Sequence, residues 1–559
     1  MENEQPPAAA QRTPHSTWRG LPMPAMRLEA HFGDRVVRCF AQRPASVHAL
    51  LEEAVAHAPE LEAVVCGESR WTWRELDARV ARTAGALAAA GIAAGDRVAL
   101  FVGNRPEFVT LVFALQRLGA ICVPVGTREQ RAGLVYMLNQ CGAAGLVYDA
   151  ALEDRVPPAS ASAGNDAPEG AGVPEETEVS SLRLRVSVES LPGMEQRARP
   201  VDTPARAAPE DCAFILYTSG TTGHPKGAML THINVAHSVL HFQHGMGLRA
   251  GDRSALAVPA SHVTGLVAVI LSMARVAGTI VVVPQFKAAD FVPLMARERI
   301  THTLIVPAMY ALILLEPGLG KADLSAWRVG GYGGAPMPMP TIDALAECLP
   351  GLSLLNCYGS TETTSPTTMM PPGHARSHID TVGVPLPCAQ VIAVDGEGRE
   401  LPPGETGELW IGGPMVVPGY WDNPQATRNG FVAGWWRSGD IGSVDVDGFV
   451  RVFDRMKDML NRGGYKVYSA EVEGALMALP GVAEAAVVGK PCPVLGERVH
   501  AFVHVPDANL RAGLDAPRVR AHCAALLADY KVPETVTFTD EPLPRNANGK
   551  LLKRVLRER

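Results

Sequence analysis

The chain has 559 residues, too many for one hydrophobic core, since large chains divide into domains of roughly 50–200 residues. Apolar residues make up 47% and charged residues 19%, and the net charge is −7 with no run of Lys/Arg, which excludes nucleic acid as the expected partner. The ten cysteines form no C-x-x-C pair, so neither zinc nor dithiol chemistry is indicated, and several, as in Ile121-Cys122-Val123, read as small core residues suited to a reducing cytoplasm.

Residues 1–25 are rich in Pro, Ala and polar residues and read as a mobile tail without the basic and apolar regions of a signal peptide. Thr72-Trp-Arg-Glu75 is a capping-box pattern; Leu76, Val80, Thr83 and Leu87 follow at helical spacing, and Gly91 falls where a C′ glycine belongs. Arg97-Val-Ala-Leu-Phe-Val102 predicts a strand, residues 106–118 a helix and residues 121–125 another strand, an alternation that points to an α/β fold with parallel pairing. Residues 155–210 interrupt it with Pro/Ala/Ser/Gly-rich sequence and read as a low-complexity, loosely packed insertion holding one strand at about 182–188.

The alternation resumes with an apolar run, Phe214-Ile215-Leu216, feeding the loop Tyr217-Thr-Ser-Gly-Thr-Thr-Gly-His-Pro-Lys-Gly227. Glycine lets backbone N–H groups turn and approach an anion, successive N–H groups form an anion-binding concavity, and hydroxyls and a lysine add donors and charge. Phosphate binding is the chemistry suggested. A Walker loop ends Gly-Lys-Ser/Thr; here Pro225 precedes the lysine and Gly227 follows it. Strands are expected at 255–258, 279–283, 303–306, 328–329 and 352–355, with a helix at 288–299 among the connections. The apolar stretch at 263–274 ends at Arg275, short of the ~20 residues of a membrane span.

Loops after strand ends are where open α/β sheets bind ligands, and three stand out: Ser261-His262, Gly331-Tyr-Gly-Gly-Ala-Pro336 and Asn356-Cys-Tyr-Gly-Ser-Thr-Glu362. Glu362, behind a glycine and two hydroxyls, could hold Mg²⁺, which takes one or two protein carboxylates plus substrate phosphates. From about residue 380 the texture becomes turns and short strands, a small β-rich subdomain that includes Trp435-Trp-Arg-Ser-Gly-Asp440. The expected domains are 26–454, large and built of packed α/β sheets, and 455–559, a smaller mobile α/β unit. The latter opens on Arg455-Met-Lys-Asp-Met-Leu-Asn-Arg-Gly-Gly464 and closes with Pro542-Leu-Pro-Arg-Asn-Ala-Asn-Gly-Lys550.

Together these strings resemble the adenylate-forming superfamily, which includes acyl-CoA synthetases, carrier-protein adenylation domains and luciferases; the resemblance spans roughly residues 45–559. It implies that Thr218, Ser219, Gly220, Thr221, Thr222, Gly223 and Lys226 cradle the phosphates of ATP, and that Gly334, Ala335 and Pro336 line the adenine and acyl site. Tyr358 would lie against adenine beside Gly359, Thr361 would contact the α-phosphate, and Glu362, with Thr218, would bind Mg²⁺. Asp440 and Arg455 would hold the ribose, Lys457 would be a hinge between two half-reactions, and Gly463 and Gly464 would admit the pantetheine arm of coenzyme A. Lys550, charged at neutral pH, would bridge the acid's carboxylate and the α-phosphate.

The loop Val258-Pro-Ala-Ser-His-Val263 is followed by no aspartate to pair with an α-ammonium, as amino-acid-activating members have; His262 instead matches the histidine that gates the acyl pocket in acyl- and aryl-CoA synthetases. An apolar acid is therefore expected, fatty or aryl, together with ATP, Mg²⁺ and coenzyme A, in a cytoplasmic enzyme. A homodimer is compatible with the sequence. Loading of a separate carrier protein, none following Arg559, is the alternative, and a non-catalytic nucleotide-binding protein a more distant one.

Overall fold

The computed structural model describes residues 24–158, 179–218, 224–545 and 551–559. Ser219, Gly220, Thr221, Thr222, Gly223 and Lys550 lie outside the described residues, as does most of the N-terminal tail.

Two sheets dominate the large domain. A six-stranded sheet runs in the order Lys226–Thr231, Cys212–Thr218, Ile121–Pro124, Arg97–Phe101, Gly145–Tyr148, Leu184–Ser187. All its pairs are parallel except the first, where Lys226–Thr231 folds back antiparallel on Cys212–Thr218. A nine-stranded sheet has a parallel centre, Ser353–Tyr358, Val329–Gly333, His302–Ile305, Arg253–Leu256, Thr279–Val282 and Glu62–Cys66, with antiparallel strands at both ends.

Helices Trp73–Ala89, Pro106–Leu118 and His232–Met246 contribute buried residues to one core with strands of both sheets, including Leu76, Leu111, Val239, Leu100 and Leu304. The first of these begins as the sequence dictates: Thr72 Oγ1 accepts from Glu75 N at 3.2 Å while Glu75 accepts from Thr72 N at 2.8 Å, and Gly91 takes φ +88° at the far end. The apolar stretch after His262 forms a π-helix, Thr264–Leu271, buried on all sides from Gly265 onward, as a helix without a polar face must be. Among the described residues no helix is long and apolar enough to cross a membrane.

Two expectations are corrected. In residues 155–210 the strand expected at about 182–188 is present as Leu184–Ser187, a parallel edge strand, but the described residues from Val179 onward are not loosely packed: Val186, Val188 and Leu191 are buried. The return segment presses on the helix Trp73–Ala89 at Gly85, where a Cβ would sit 2.0 Å from the Arg199 carbonyl oxygen, a contact only glycine permits. The strand expected at 328–329 is instead Val329–Gly333. Its glycines weaken the local strand signal, but a Cβ on Gly331 would come within 2.7 Å of both Leu304 Cδ1 and Met246 Cε, so close packing requires what propensity disfavours.

A five-stranded antiparallel sheet follows, with Gln390–Val394, Gly407–Gly412, Trp435–Val444, Phe431–Val432 and Val450–Arg455. The C-terminal unit is a further five-stranded sheet, led by Glu484–Cys492 and Gly496–His504, under helices Ser469–Met477 and Ala516–Leu526, with its own core around Val472, Val487, Val499 and Val519.

Candidate active site

The parallel centre of the large sheet ends at Tyr358, and the chain turns at once into a 3-10 turn, Thr361–Thr363. Gly359 suits the close packing there, since a Cβ would lie 3.0 Å from Thr367 N and 3.1 Å from the Pro366 Cα. The turn points Glu362 inward, leaving it only 6% exposed. Its carboxylate accepts three hydroxyls: Ser360 Oγ at 2.6 Å, Tyr420 Oη at 2.9 Å and Thr218 Oγ1 at 3.3 Å. Thr218 is the last residue of the strand feeding the glycine-rich loop, so the end of one sheet meets the end of the other at this carboxylate.

Burial of an anion is costly unless it is paired. Glu362 is hydrogen-bonded by neutral hydroxyls, a set of hard oxygen atoms that fits Mg²⁺ better than a softer metal. The residues present therefore fit the cation: Glu362 would hold it, Thr218 would stand beside it, and it would neutralise phosphate charge.

Asp440 lies within the long strand Trp435–Val444, and antiparallel register sets it directly opposite Arg455. Arg455 Nε meets Asp440 Oδ1 at 2.7 Å, and Tyr358 Oη donates to Asp440 Oδ2 at 2.6 Å. Asp440 N in turn donates to Ser438 Oγ at 2.9 Å, which donates to Leu409 O at 2.6 Å. Burial opposes the Arg455 charge, but Asp440 and neighbouring anions outweigh it, and its pKa is raised. Burial, then the Asp440 charge, pushes the Tyr358 phenol well above its ordinary value, so it remains a donor.

Thr218, Tyr358, Thr361, Glu362, Asp440 and Arg455 thus share one neighbourhood. Lys226 opens the strand Lys226–Thr231, its ammonium 5.2 Å from the centroid of the Tyr420 ring. Gly334, Ala335 and Pro336 are exposed at the end of the strand Val329–Gly333, and Gly334 takes φ +77° with open space where a side chain would be. His262 is exposed before the π-helix, its Nδ1 3.2 Å from Thr264 Oγ1. Gly463 and Gly464 turn a hairpin at φ +58° and +89°.

Lys457 is exposed in the turn after Val450–Arg455, and its carbonyl accepts from Arg557 Nη2 at 2.8 Å. The sequence did not single out Tyr420, Ser360 or Ser438. Tyr420 stands in the string Gly419-Tyr-Trp, within the turns and short strands that follow residue 380, and nothing local to it points 58 positions back to Glu362.

Residues 51–421 match the family model of the AMP-binding enzyme, and residues 471–550 that of the AMP-binding enzyme C-terminal domain. The chain is 36% identical over 502 residues to feruloyl-CoA synthase of Amycolatopsis sp, covering 90% of this chain and 96% of that protein. It is 34% identical over 516 residues to fatty acid–[acyl-carrier-protein] ligase ScoC of Streptomyces coeruleorubidus, covering 90% and 94%. The crystal structure of ATP-bound MatB from Rhodopseudomonas palustris superposes with a TM-score of 0.81 at 30% identity, over 92% of this chain and 98% of that one.

Proposed function

Because the chain belongs to the AMP-binding enzyme family, whose model matches residues 51–421, we propose that it is an acid–CoA ligase: it activates an apolar carboxylic acid, fatty or aryl, with ATP and passes the acyl group to the thiol of coenzyme A. In the first step the acid's carboxylate oxygen bonds to the α-phosphorus of ATP and the bond to the β-phosphate oxygen breaks, giving acyl-AMP and pyrophosphate. In the second the thiolate sulfur bonds to the acyl carbon and AMP leaves with the electron pair of the broken C–O bond.

The observation that carries the reading is the buried Glu362 carboxylate, bonded by hydroxyls and set against Thr218 at the mouth of the phosphate loop. Asp440, locked by Tyr358 and Arg455, supplies an oriented acceptor for ribose hydroxyls. Lys226 and the loop residues Ser219–Gly223 cradle the phosphates of ATP, and Thr361 contacts the α-phosphate. Lys550 joins the two reacting anions, and rotation about Lys457 exchanges it for Gly463 and Gly464 in the second step. No side chain acts as a nucleophile; the rate comes from positioning and from charge stabilisation at the α-phosphate.

An apolar acid is favoured because the loop at His262 brings no carboxylate to meet an α-ammonium, while small residues and the buried Tyr332 lie at the end of the strand Val329–Gly333, two places along the same sheet. Similarity to both a CoA synthase and a carrier-protein ligase keeps loading of a separate carrier protein as the second reading.

Mass spectrometry of products formed from ATP, MgCl₂, coenzyme A and a panel of aliphatic and aryl acids tests the proposal. An acyl-CoA is expected. Acyl-AMP without thioester would favour the carrier-protein reading, and absence of both across the panel, with no ATP binding, would overturn the function.

A further inference from the structure

The strip Gly419-Tyr420-Trp421 connects two elements that the proposed chemistry needs in register. Its backbone runs beside the strand that Lys226 opens: Trp421 N donates to Gly227 O at 2.7 Å, Met229 N donates to Gly419 O at 3.1 Å, and Tyr420 bridges Ala228 antiparallel. Its side chain then reaches both charges. The Tyr420 hydroxyl donates to Glu362 Oε1 at 2.9 Å, and the Lys226 ammonium lies 5.2 Å from the ring centroid, within cation–π range.

The ring itself is fixed. It is buried, packs edge-on to Phe431 with centroids 5.5 Å apart, and its backbone N donates to Thr427 Oγ1 at 3.0 Å. Gly419 admits that approach, since a Cβ there would lie 2.5 Å from Thr427 Cγ2. One rigid side chain thus spans the lysine of the phosphate loop and the carboxylate suited to a cation.

We infer that Tyr420 is a positioning residue that sets the distance between the Lys226 ammonium and the Glu362 carboxylate, and so tunes how the triphosphate and its divalent cation are bound together. The inference rests on the nucleotide-binding role proposed above. The Tyr420 hydroxyl shares Oε1 with Thr218 and fixes the orientation of the carboxylate, and the ring face holds the Lys226 ammonium from folding onto Glu362, where the two charges would neutralise each other before ATP arrived. The two functions separate by chemistry: the hydroxyl acts on Glu362, the ring face on Lys226.

The test measures ATP and AMP binding calorimetrically on the full chain across a MgCl₂ series, without acid or coenzyme A. Tyr420→Phe keeps the ring and removes only the hydroxyl. It should raise the Mg²⁺ concentration for half-maximal ATP binding by about tenfold while AMP affinity changes by less than about twofold. Tyr420→Leu should in addition weaken ATP binding in the absence of Mg²⁺, through loss of the Lys226 contact.

An unchanged Mg²⁺ dependence in Tyr420→Phe overturns the inference, as does equal weakening of ATP and AMP, which would mark a purely structural role. Wild-type protein that binds ATP with no Mg²⁺ dependence would overturn the metal assignment of Glu362 itself, and this inference with it.

Discussion

Tyr358 donates its phenolic hydrogen to Asp440 Oδ2 at 2.6 Å across 82 positions of sequence, from the last residue of a strand in the large parallel sheet to the middle of a strand in the antiparallel one. Asp440 is 3% exposed and held on its other oxygen by Arg455. Removing its charge would leave the Arg455 guanidinium without its main partner and weaken the acceptor proposed for the ribose. Asp440→Asn should weaken ATP and AMP by a similar factor, about tenfold or more, since both carry the ribose. Calorimetric titration with each nucleotide checks this; loss of ATP binding alone would place Asp440 at the phosphates instead.

Lys550 is assigned its role by the motif that contains it. Lys550→Ala should abolish acyl-AMP formation while ATP remains bound, because the lysine is expected to act on the two reacting anions and not on the adenosine. Pyrophosphate release measured beside ATP binding separates the two. Undiminished adenylation would remove Lys550 from the mechanism.

The turn at Lys457, proposed as a hinge, has a structural restraint that can be cut. Arg557 Nη2 bonds both the Lys457 carbonyl and Asp458 Oδ1, each at 2.8 Å, from the C-terminal helix Lys553–Glu558. Arg557→Ala should release this turn, and limited trypsin digestion should cleave faster between Arg455 and Arg462 than in the wild type. Lys457→Pro should spare adenylation and block thioester formation, since proline fixes φ and restricts the residue before it. Equal loss of both steps would refute a hinge at this position.

Acid should destabilise the protein. The helix His232–Met246 buries His232, His237 and His241, and burial lowers their pKa values to about 4, about 3 and about 4; His48 is lowered by burial to about 3. In the unfolded chain these groups titrate near ~6.5. As the pH falls from about 7.5 toward 4 the unfolded state takes up protons that the folded state refuses, so stability drops, gently while the unfolded histidines begin to titrate and steeply below ~6.5. Thermal melting at pH 7.5, 6.5 and 5.5 should show a small fall in Tm over the first interval and a larger one over the second. A flat Tm down to pH 5 would contradict the neutral, buried state of these histidines.

The sequence by itself determined what depends on near neighbours. The capping box at Thr72 and Glu75, the C′ glycine at Gly91, the glycine- and hydroxyl-rich loop after Phe214-Ile215-Leu216 and the turn behind Tyr358 are short-range patterns whose chemistry is carried by consecutive residues. Only the tertiary structure decided which distant groups those patterns meet. Asp440 faces Arg455 through strand register, Tyr420 reaches Glu362 and Lys226 from a strip with no local signal for that contact, and Val329–Gly333 is a strand because it pairs on both sides with strands that leave no room for a side chain at Gly331 and Gly333. Each of these is fixed by pairing and packing between segments far apart in the chain. Local propensity carries no record of such contacts, and at the glycine-rich strand it points the other way.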